Sequence, residues 1–323
     1  MQHSKLVRIK DSSVVWNCLN GVINVFKPVG ISVNNVKCSI LGNLCKDLNS
    51  LETRPPRDRV LISSKNPEDN EPRNDEYKVE VVTDWSDHVL AAGQRHQICD
   101  FKFNSCHLSR FSSGVLLVGL NGGTRQIHKI KSNRLIRVYH VTGELGKSTE
   151  NNFPDSVIIA RAHVSHIWPD KMTSVLSSMQ ASHQKKMFEF CGVDIQSNAA
   201  FEIAKKGLIR PTNDSFPIPV LYGIKCVKFE RPKFTVEIHA INEDTAYLGQ
   251  LIQEIGLQLR SVAHCTGIRC IRYGHFTVED SLLRGNWHLQ NILSNMAMCR
   301  KIIGEHPSII KQKNIELANA SSQ

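Results

Sequence analysis

Residues 113–123 read SGVLLVGLNGG, a continuous apolar run bounded by glycines. A run of this kind, without polar alternation, predicts a buried strand or a strand that leads into a helix. The next residues, 124–137, read TRQIHKIKSNRLIR, in which Ile127, Ile130 and Leu135 form an apolar stripe beside basic side chains. The stretch therefore predicts a buried strand followed by an amphipathic helix with a basic face.

Further strand and helix patterns lie on both sides of this unit. GVINVFKPVG at 21–30 and RVYHVTGELG at 137–146 predict strands, and 221–241 predicts two strands joined at a proline. The apolar residues of 244–261 recur at helical spacing. Because strands and helices follow one another in no regular βαβ order, the sequence predicts an α+β fold with a mixed, mostly antiparallel sheet flanked by helices.

The domain organisation follows from composition. Residues 46–79 hold four of the twelve prolines, many charges and few large apolar groups, which predicts a flexible insertion. Residues 1–20 form an N-terminal segment that is compatible with a short mitochondrial presequence. One domain is expected over 21–300, and 301–323 is expected to be a tail.

Charge and cysteine usage narrow the function classes. The formal net charge is +10 and the isoelectric point about 9.1, which favours a polyanionic partner, with nucleic acid ahead of a membrane surface. No apolar run is long enough to span a membrane. The ten cysteines contain no C-x-x-C pair and the histidines no metal-ligand spacing. We therefore expect no metal site and no cofactor.

Six sequence segments resemble the TruB family of RNA pseudouridine synthases, in that family's order and spacing. The segments are Gly21-Val22-Ile23 with Lys27-Pro28-x-Gly30, Ser113-Gly114-Val115-Leu116, Tyr139 with Gly143-x-Leu145-Gly146-x-x-Thr149, the run 199–207 (AAFEIAKKG), the run 247–256 (YLGQLIQEIG), and Thr266-x-Ile268-Arg269. The resemblance is to the short mitochondrial branch, which lacks the RNA-binding C-terminal PUA domain of bacterial members. It implies a pseudouridine-synthase-like fold, RNA as partner and the mitochondrial matrix as location.

The same resemblance assigns three positions to the chemistry. The family's catalytic aspartate follows the leucine of its L-D-x-x-A-[ST]-G-V-L motif, and Ser109 follows Leu108 here. The arginine that pairs with that aspartate falls at Gly249. Tyr139 is implied to stack on the flipped uracil. The two substitutions are coupled, because an arginine left without its carboxylate would be a buried unpaired charge.

A group of basic and aromatic residues is predicted to contact RNA. Its members are Lys27, Lys129, Lys131, Arg134, Arg137, Lys205, Lys206, Arg210, Tyr247 and Arg269.

Three functions remain open from the sequence. The chain could be an active mitochondrial pseudouridine synthase with a nonstandard site. It could be an inactive relative that binds mitochondrial messenger, transfer or ribosomal RNA. It could also be an assembly component that works with the proteins of an RNA granule or of ribosome maturation.

The basic cluster gives a first prediction. Replacing Lys129, Lys131 and Arg134 together with glutamine should weaken binding to many RNA sequences about equally, because phosphate contacts carry no sequence information. The salt dependence measured by filter binding should also become shallower, by about 0.7 in log–log slope for each lost contact on single strands. Unchanged affinity would contradict the prediction that these three residues contact RNA.

Overall fold

The computed structural model describes residues 11–51, 58–64, 77–83, 89–190, 193–206 and 219–310. Its strands are β1 Gly21–Lys27, β2 Asp58–Ser64, β3 Tyr77–Thr83, β4 Phe103–Ser105, β5 Ser112–Leu120, β6 Arg137–Leu145, β7 Lys147–Thr149, β8 Ile158–Arg161, β9 Val220–Glu230, β10 Lys233–Ile241, β11 Ala263–Tyr273 and β12 Phe276–Thr277. Its helices are α1 Ser12–Cys18, α2 Val33–Asn49, α3 Val89–Ala92, α4 Gly123–Ser132, α5 Pro169–Phe190, α6 Asn198–Lys206, α7 Thr245–Gln258 and α8 Leu289–Glu305.

One sheet dominates the fold. Six strands pair in the order β1-β5-β11-β6-β10-β9, with β4 added to β5 and β12 to β11. Only the pairing of β11 with β5 is parallel in this sheet of the described chain. Helices α4 and α8 pack against β1, whereas α5 packs against β9 and α7 against β11. The predicted α+β fold with a mixed, mostly antiparallel sheet is confirmed.

The apolar run that predicts a buried strand is β5, and the amphipathic segment after it begins α4. The side chains of Val115 through Val118 are at most 2% exposed, because β1 and β11 flank the strand and other elements cover its faces. Helix α4 buries Ile127 and Ile130 and leaves its lysines in solvent. The side chains of this run therefore form part of the hydrophobic core.

Gly114 allows β5 and β11 to approach each other. Its φ is +109°, and a Cβ at this position would collide with the backbone of Cys270 on β11. Only glycine adopts this conformation without strain, and only glycine leaves the space that Cys270 fills. The glycine of the SGVL segment is thus a requirement of the sheet.

Three predicted boundaries are wrong where the structure describes them. Residues 46–49 complete α2, and Leu48 is fully buried, so the insertion cannot begin at residue 46. Helix α1 and the buried Leu19 belong to the core, so the N-terminal segment is shorter than 1–20. Helix α8 continues to Glu305 and Ile309 is buried, so the tail begins later than residue 301. Within the predicted insertion, β2 and β3 pair with each other, and residues 52–57 and 65–76 lie outside the described chain.

Gly114 gives the prediction for the fold. Gly114→Ala should lower the free energy of unfolding by at least about 2 kcal/mol, because it combines backbone strain with a steric clash. Urea denaturation monitored by circular dichroism measures the change. Gly42→Ala is the matched control: nothing lies within 4 Å of its added Cβ, and alanine favours the helical conformation of α2. Equal effects of the two substitutions would contradict the requirement for glycine at position 114.

Candidate active site

Ser109 lies in the loop between β4 and β5. The loop is tied to the sheet by the amide of Cys106, which donates to the carbonyl of Leu117 at 2.9 Å. A tight turn follows, in which the amide of Ser112 donates to the carbonyl of Ser109 at 3.2 Å. The Ser109 hydroxyl is 3.3 Å from the hydroxyl of Ser112, and no carboxylate or imidazole of the described residues bonds to it. A serine without an adjacent base is a poor nucleophile.

The ammonium of Lys27 stabilises this loop by hydrogen bonds to its backbone carbonyls. Its side chain is fully buried, and Nζ donates to the carbonyls of Ser112 at 2.7 Å, Pro28 at 3.1 Å and Arg110 at 3.5 Å. Burial lowers the pKa of Lys27 to about 8. The carbonyl dipoles compensate the charge in place of a counter-ion. Lys27 was predicted to contact RNA, but in this structure its ammonium faces the loop and is closed to a phosphate.

Gly249 lies on α7, where an aromatic side chain covers it. A Cβ at this position would be 3.2 Å from Cε2 of Phe153 and 3.3 Å from Cβ of Asn152. Phe153 in turn stacks on Phe111, with ring centroids 5.4 Å apart and planes inclined by 15°. We call Phe111 and Phe153 the aromatic stack. It connects the loop of Ser109 to α7, so the two predicted positions are joined by packed rings.

Tyr139 belongs to a buried polar network with Arg137 and Glu243. The Tyr139 hydroxyl donates to Oε1 of Glu243 at 2.7 Å, and Nη1 of Arg137 lies 3.2 Å from both of these oxygens. Arg137 also donates to the carbonyl of His107 at 3.3 Å and lies over the ring of Tyr273 at 4.5 Å. The network therefore joins β6 to the segment before α7 and to the loop of Ser109.

Burial dominates the titration of this network. It raises the pKa of Tyr139 well above its ordinary value, and the charge of Glu243 adds to that effect while Arg137 opposes it. Burial likewise raises the pKa of Glu243 against the pull of Arg137. The sequence did not single out Glu243, and the only signal for it was an acidic pair, Glu243-Asp244, just before a predicted helix.

Comparison with known proteins shows the family of this chain. Residues 106–245 match the family model described as TruB family pseudouridylate synthase, N-terminal domain. The mitochondrial pseudouridylate synthase TRUB2 of Xenopus tropicalis is 34% identical over 287 residues, covering 88% of this chain and 87% of the relative. The Homo sapiens TRUB2 is 32% identical, covering 85% and 82%. The chain belongs to the TruB family.

Solved structures give a weaker likeness. The archaeal Nop10–Cbf5 complex of a box H/ACA ribonucleoprotein contains a similar chain, with 16% identity and a TM-score of 0.44. The match covers 85% of this chain and 54% of that one.

The described residues that were predicted to contact RNA lie on several different elements of this TruB homologue. Lys129 and Lys131 are exposed on α4, and Nζ of Lys131 donates to Asn104 at 3.0 Å. Lys205 is exposed on α6. Arg134 is half-buried in the turn after α4, and Arg137 is held in the polar network. The side chain of Lys206 and the whole of Arg210 lie outside the described residues.

Arg269 is exposed on β11, where its guanidinium lies 5.6 Å from the centre of the Phe26 ring. Its neighbour across the sheet is His140, which contacts Glu237 at 3.3 Å. Lys225 and His239 also bond to Glu237. Burial alone would raise the pKa of Glu237, but hydrogen bonds from His239, Lys225 and His140 lower it to about 2. Glu237 therefore neutralises only part of the positive charge on this part of the surface.

Tyr247 lies half-buried on α7, beside a depression of about 510 Å³ that is also lined by His183, Lys186 and Asp244. Its hydroxyl is buried and makes no hydrogen bond with the described residues. Burial raises the pKa of Tyr247 to about 12. The phenol is therefore uncharged and can donate a hydrogen bond. It lies beside Lys186, and its contact with RNA stays a prediction.

Across the described part of the chain, no three histidine, cysteine, aspartate or glutamate side chains form a cluster that could hold a metal ion. Of the helices described, none is long and apolar enough to cross a membrane.

The contact between Gly249 and Phe153 can be tested with a double-mutant cycle. Gly249→Ala should gain about 1 kcal/mol of helix propensity but crowd the Phe153 ring, and Phe153→Ala should remove that crowding. The double variant should therefore be more stable than the sum of the single effects by about 0.5–3 kcal/mol in urea denaturation. Phe153→Ala combined with Gly304→Ala is the control, since nothing lies within 4 Å of a Cβ at Gly304. Additive effects in both cycles would contradict the packing.

Proposed function

We propose that this chain binds mitochondrial RNA as a TruB-type pseudouridine synthase homologue, and that it does not isomerise uridine. The observation that carries the proposal is the environment of Ser109, whose hydroxyl contacts another serine hydroxyl and no group of the described residues that could activate it. The pseudouridylate synthase relatives supply the reaction class against which the site is judged.

The reaction explains why a carboxylate matters. The bond between N1 of uracil and C1′ of ribose must break, the base must turn, and a bond from C5 to C1′ must form. A carboxylate beside the sugar assists these steps as nucleophile or base. Ser109 carries no charge, and the aromatic stack fills the space in which an arginine at position 249 would reach toward it. The site therefore lacks both members of the charged pair.

The polar network supports the same conclusion. The Tyr139 ring is 3% exposed and its hydroxyl proton is committed to Glu243. In this arrangement the ring cannot stack on a flipped base, and the hydroxyl cannot deliver a proton to C5. A substrate would have to displace a charge-assisted hydrogen bond in a buried setting, which costs more than the same bond in water.

RNA binding is supported by charge and by family. The excess of ten positive charges suits a polyanion, and exposed basic side chains remain on α4, α6 and β11. The mitochondrial names of the relatives support a mitochondrial location, and within it we propose the matrix, where mitochondrial transcripts reside. The domain that contains the central sheet and helices α1 to α8 is the proposed RNA-binding unit.

A second proposal is an assembly role with proteins of an RNA granule or of ribosome maturation. The observation that favours it is the ribbon of β2 and β3, which exposes apolar side chains. Val60, Ile62, Val79 and Val81 are each more than half exposed. An isolated two-stranded ribbon is marginal in water, and exposed apolar patches often mark protein contacts.

A third proposal keeps the enzyme active with Glu243 as its carboxylate. The favouring observation is that Glu243 lies 2.7 Å from the hydroxyl of Tyr139. Its side chain is 2% exposed, however, so the segment before α7 would have to open for Glu243 to reach a ribose.

The proposals are separated by a single-turnover assay. Stoichiometric protein is mixed with mitochondrial transcripts tritiated at C5 of uridine, and tritium release reports pseudouridine formation. We expect RNA retention on a filter without release. Release by the wild-type protein would overturn the inactive site, and its loss in Glu243→Gln but not in Ser109→Ala would then assign the carboxylate to Glu243.

Variants that introduce an aspartate at position 109 and an arginine at position 249 give a positive control. Ser109→Asp with Gly249→Arg should release little tritium, because the arginine must first displace Phe153. Adding Phe153→Ala makes room for the ion pair, so the triple variant should release the most. The assembly proposal is tested by deleting residues 58–83: RNA retention should persist while co-purification with granule or ribosomal proteins is lost.

A further inference from the structure

Phe111 is a large aromatic side chain left in solvent beside Ser109. It is 43% exposed, although its ring packs in parallel on Phe153, which is only 8% exposed. Phe153 rests on Gly249 of α7 in turn. One face of Phe111 is therefore supported by the protein, and much of the rest of the ring meets solvent.

The loop that carries Phe111 is held rigidly. Lys27 bonds to the carbonyls on either side of it, those of Arg110 and Ser112. Gly30 and Arg110 exchange two further bonds, from the Gly30 amide to the Arg110 carbonyl at 2.9 Å and from Nε of Arg110 to the Gly30 carbonyl at 3.0 Å. A side chain fixed in this way loses little conformational freedom when it binds a ligand.

The residue beside Phe111 carries an available positive charge. Arg110 is exposed, and its bond to Gly30 uses a neutral carbonyl. Across the described residues, no carboxylate pairs with its guanidinium. An exposed ring next to an unpaired arginine is the combination that recognises a base together with a backbone phosphate.

We propose that Phe111 is the platform on which an unstacked base of RNA stacks at this site, with Arg110 attracting the adjoining phosphate. The proposal rests on the proposed RNA-binding function and deepens it. Tyr139 is 3% exposed and Phe111 43%, so of these two described rings it is Phe111 that a base can reach. A base stacked on Phe111 would extend the series of rings that begins at Phe153.

The test compares two labelled oligomers by fluorescence anisotropy with the full chain. One is an oligouridylate of about ten nucleotides, and the other is an oligomer of the same length and charge without bases. Phe111→Ala should weaken binding of the oligouridylate about ten-fold, because base–aromatic stacking is lost, and leave the abasic oligomer unaffected. Phe111→Leu should behave like Phe111→Ala, whereas Phe111→Trp should keep wild-type affinity. Thermal unfolding of the leucine and tryptophan variants checks that the loop stays folded.

A separate variant distinguishes this proposal from the function on which it rests. Lys129→Gln with Lys131→Gln should weaken both oligomers equally. If the wild-type protein binds RNA but Phe111→Ala changes neither affinity, or lowers both alike, the platform is overturned and RNA binding stands. If the wild-type protein binds neither oligomer, both proposals are overturned.

Discussion

The pairing of β5 between β1 and β11 determines where every part of the site can lie. β1 runs antiparallel to β5 from Gly21 opposite Leu120 to Lys27 opposite Gly114, and β11 joins in parallel at Gly114. This register places the Lys27 ammonium directly under the loop that enters β5. Since an ammonium buried without partners would be very costly, the loop must present its carbonyls to Lys27. The conformation of the loop therefore depends on the register of the sheet.

In the proposed inactive site, aromatic packing lies where the charged pair would be. An arginine at position 249 without an aspartate would leave a buried unpaired charge that costs several kcal/mol. Gly249 carries no charge, and the ring of Phe153 packs against it. Replacing a buried ion pair with well-packed apolar groups is often neutral or stabilising. The stack on Phe111 then couples α7 to the loop by contacts that need no charge.

The site also contains a polar network, and the side chains of that network are buried. Glu243, Arg137 and Tyr139 satisfy one another in the interior, and Arg137 also reaches the carbonyl of His107. A network of this kind stabilises only if all its members are present, because each one left alone would be an unsatisfied buried group. It fixes three segments that are far apart in sequence. The same bonds that stabilise the fold withhold Tyr139 from a ligand.

The sequence alone determined five strands of the central sheet (β1, β5, β6, β9 and β10) and the resemblance to the family. Those features depend on local hydrophobic pattern and on motif spacing, which a linear sequence carries. Boundaries were less well predicted. The charged residues after Cys45 hid the last turn of α2, although Leu48 completes its buried face.

Tertiary structure decided what those residues do. Only the packed sheet places the Lys27 ammonium inside, since a lysine next to a proline reads in sequence as a surface charge. Only the fold brings Phe153 to Gly249 and Glu243 to Tyr139, the latter pair separated by 104 positions. The family resemblance assigned base stacking to Tyr139 from a local motif, which carries no information on burial. Which aromatic ring remains in solvent depends on burial, and burial is set by long-range contacts that no local pattern contains.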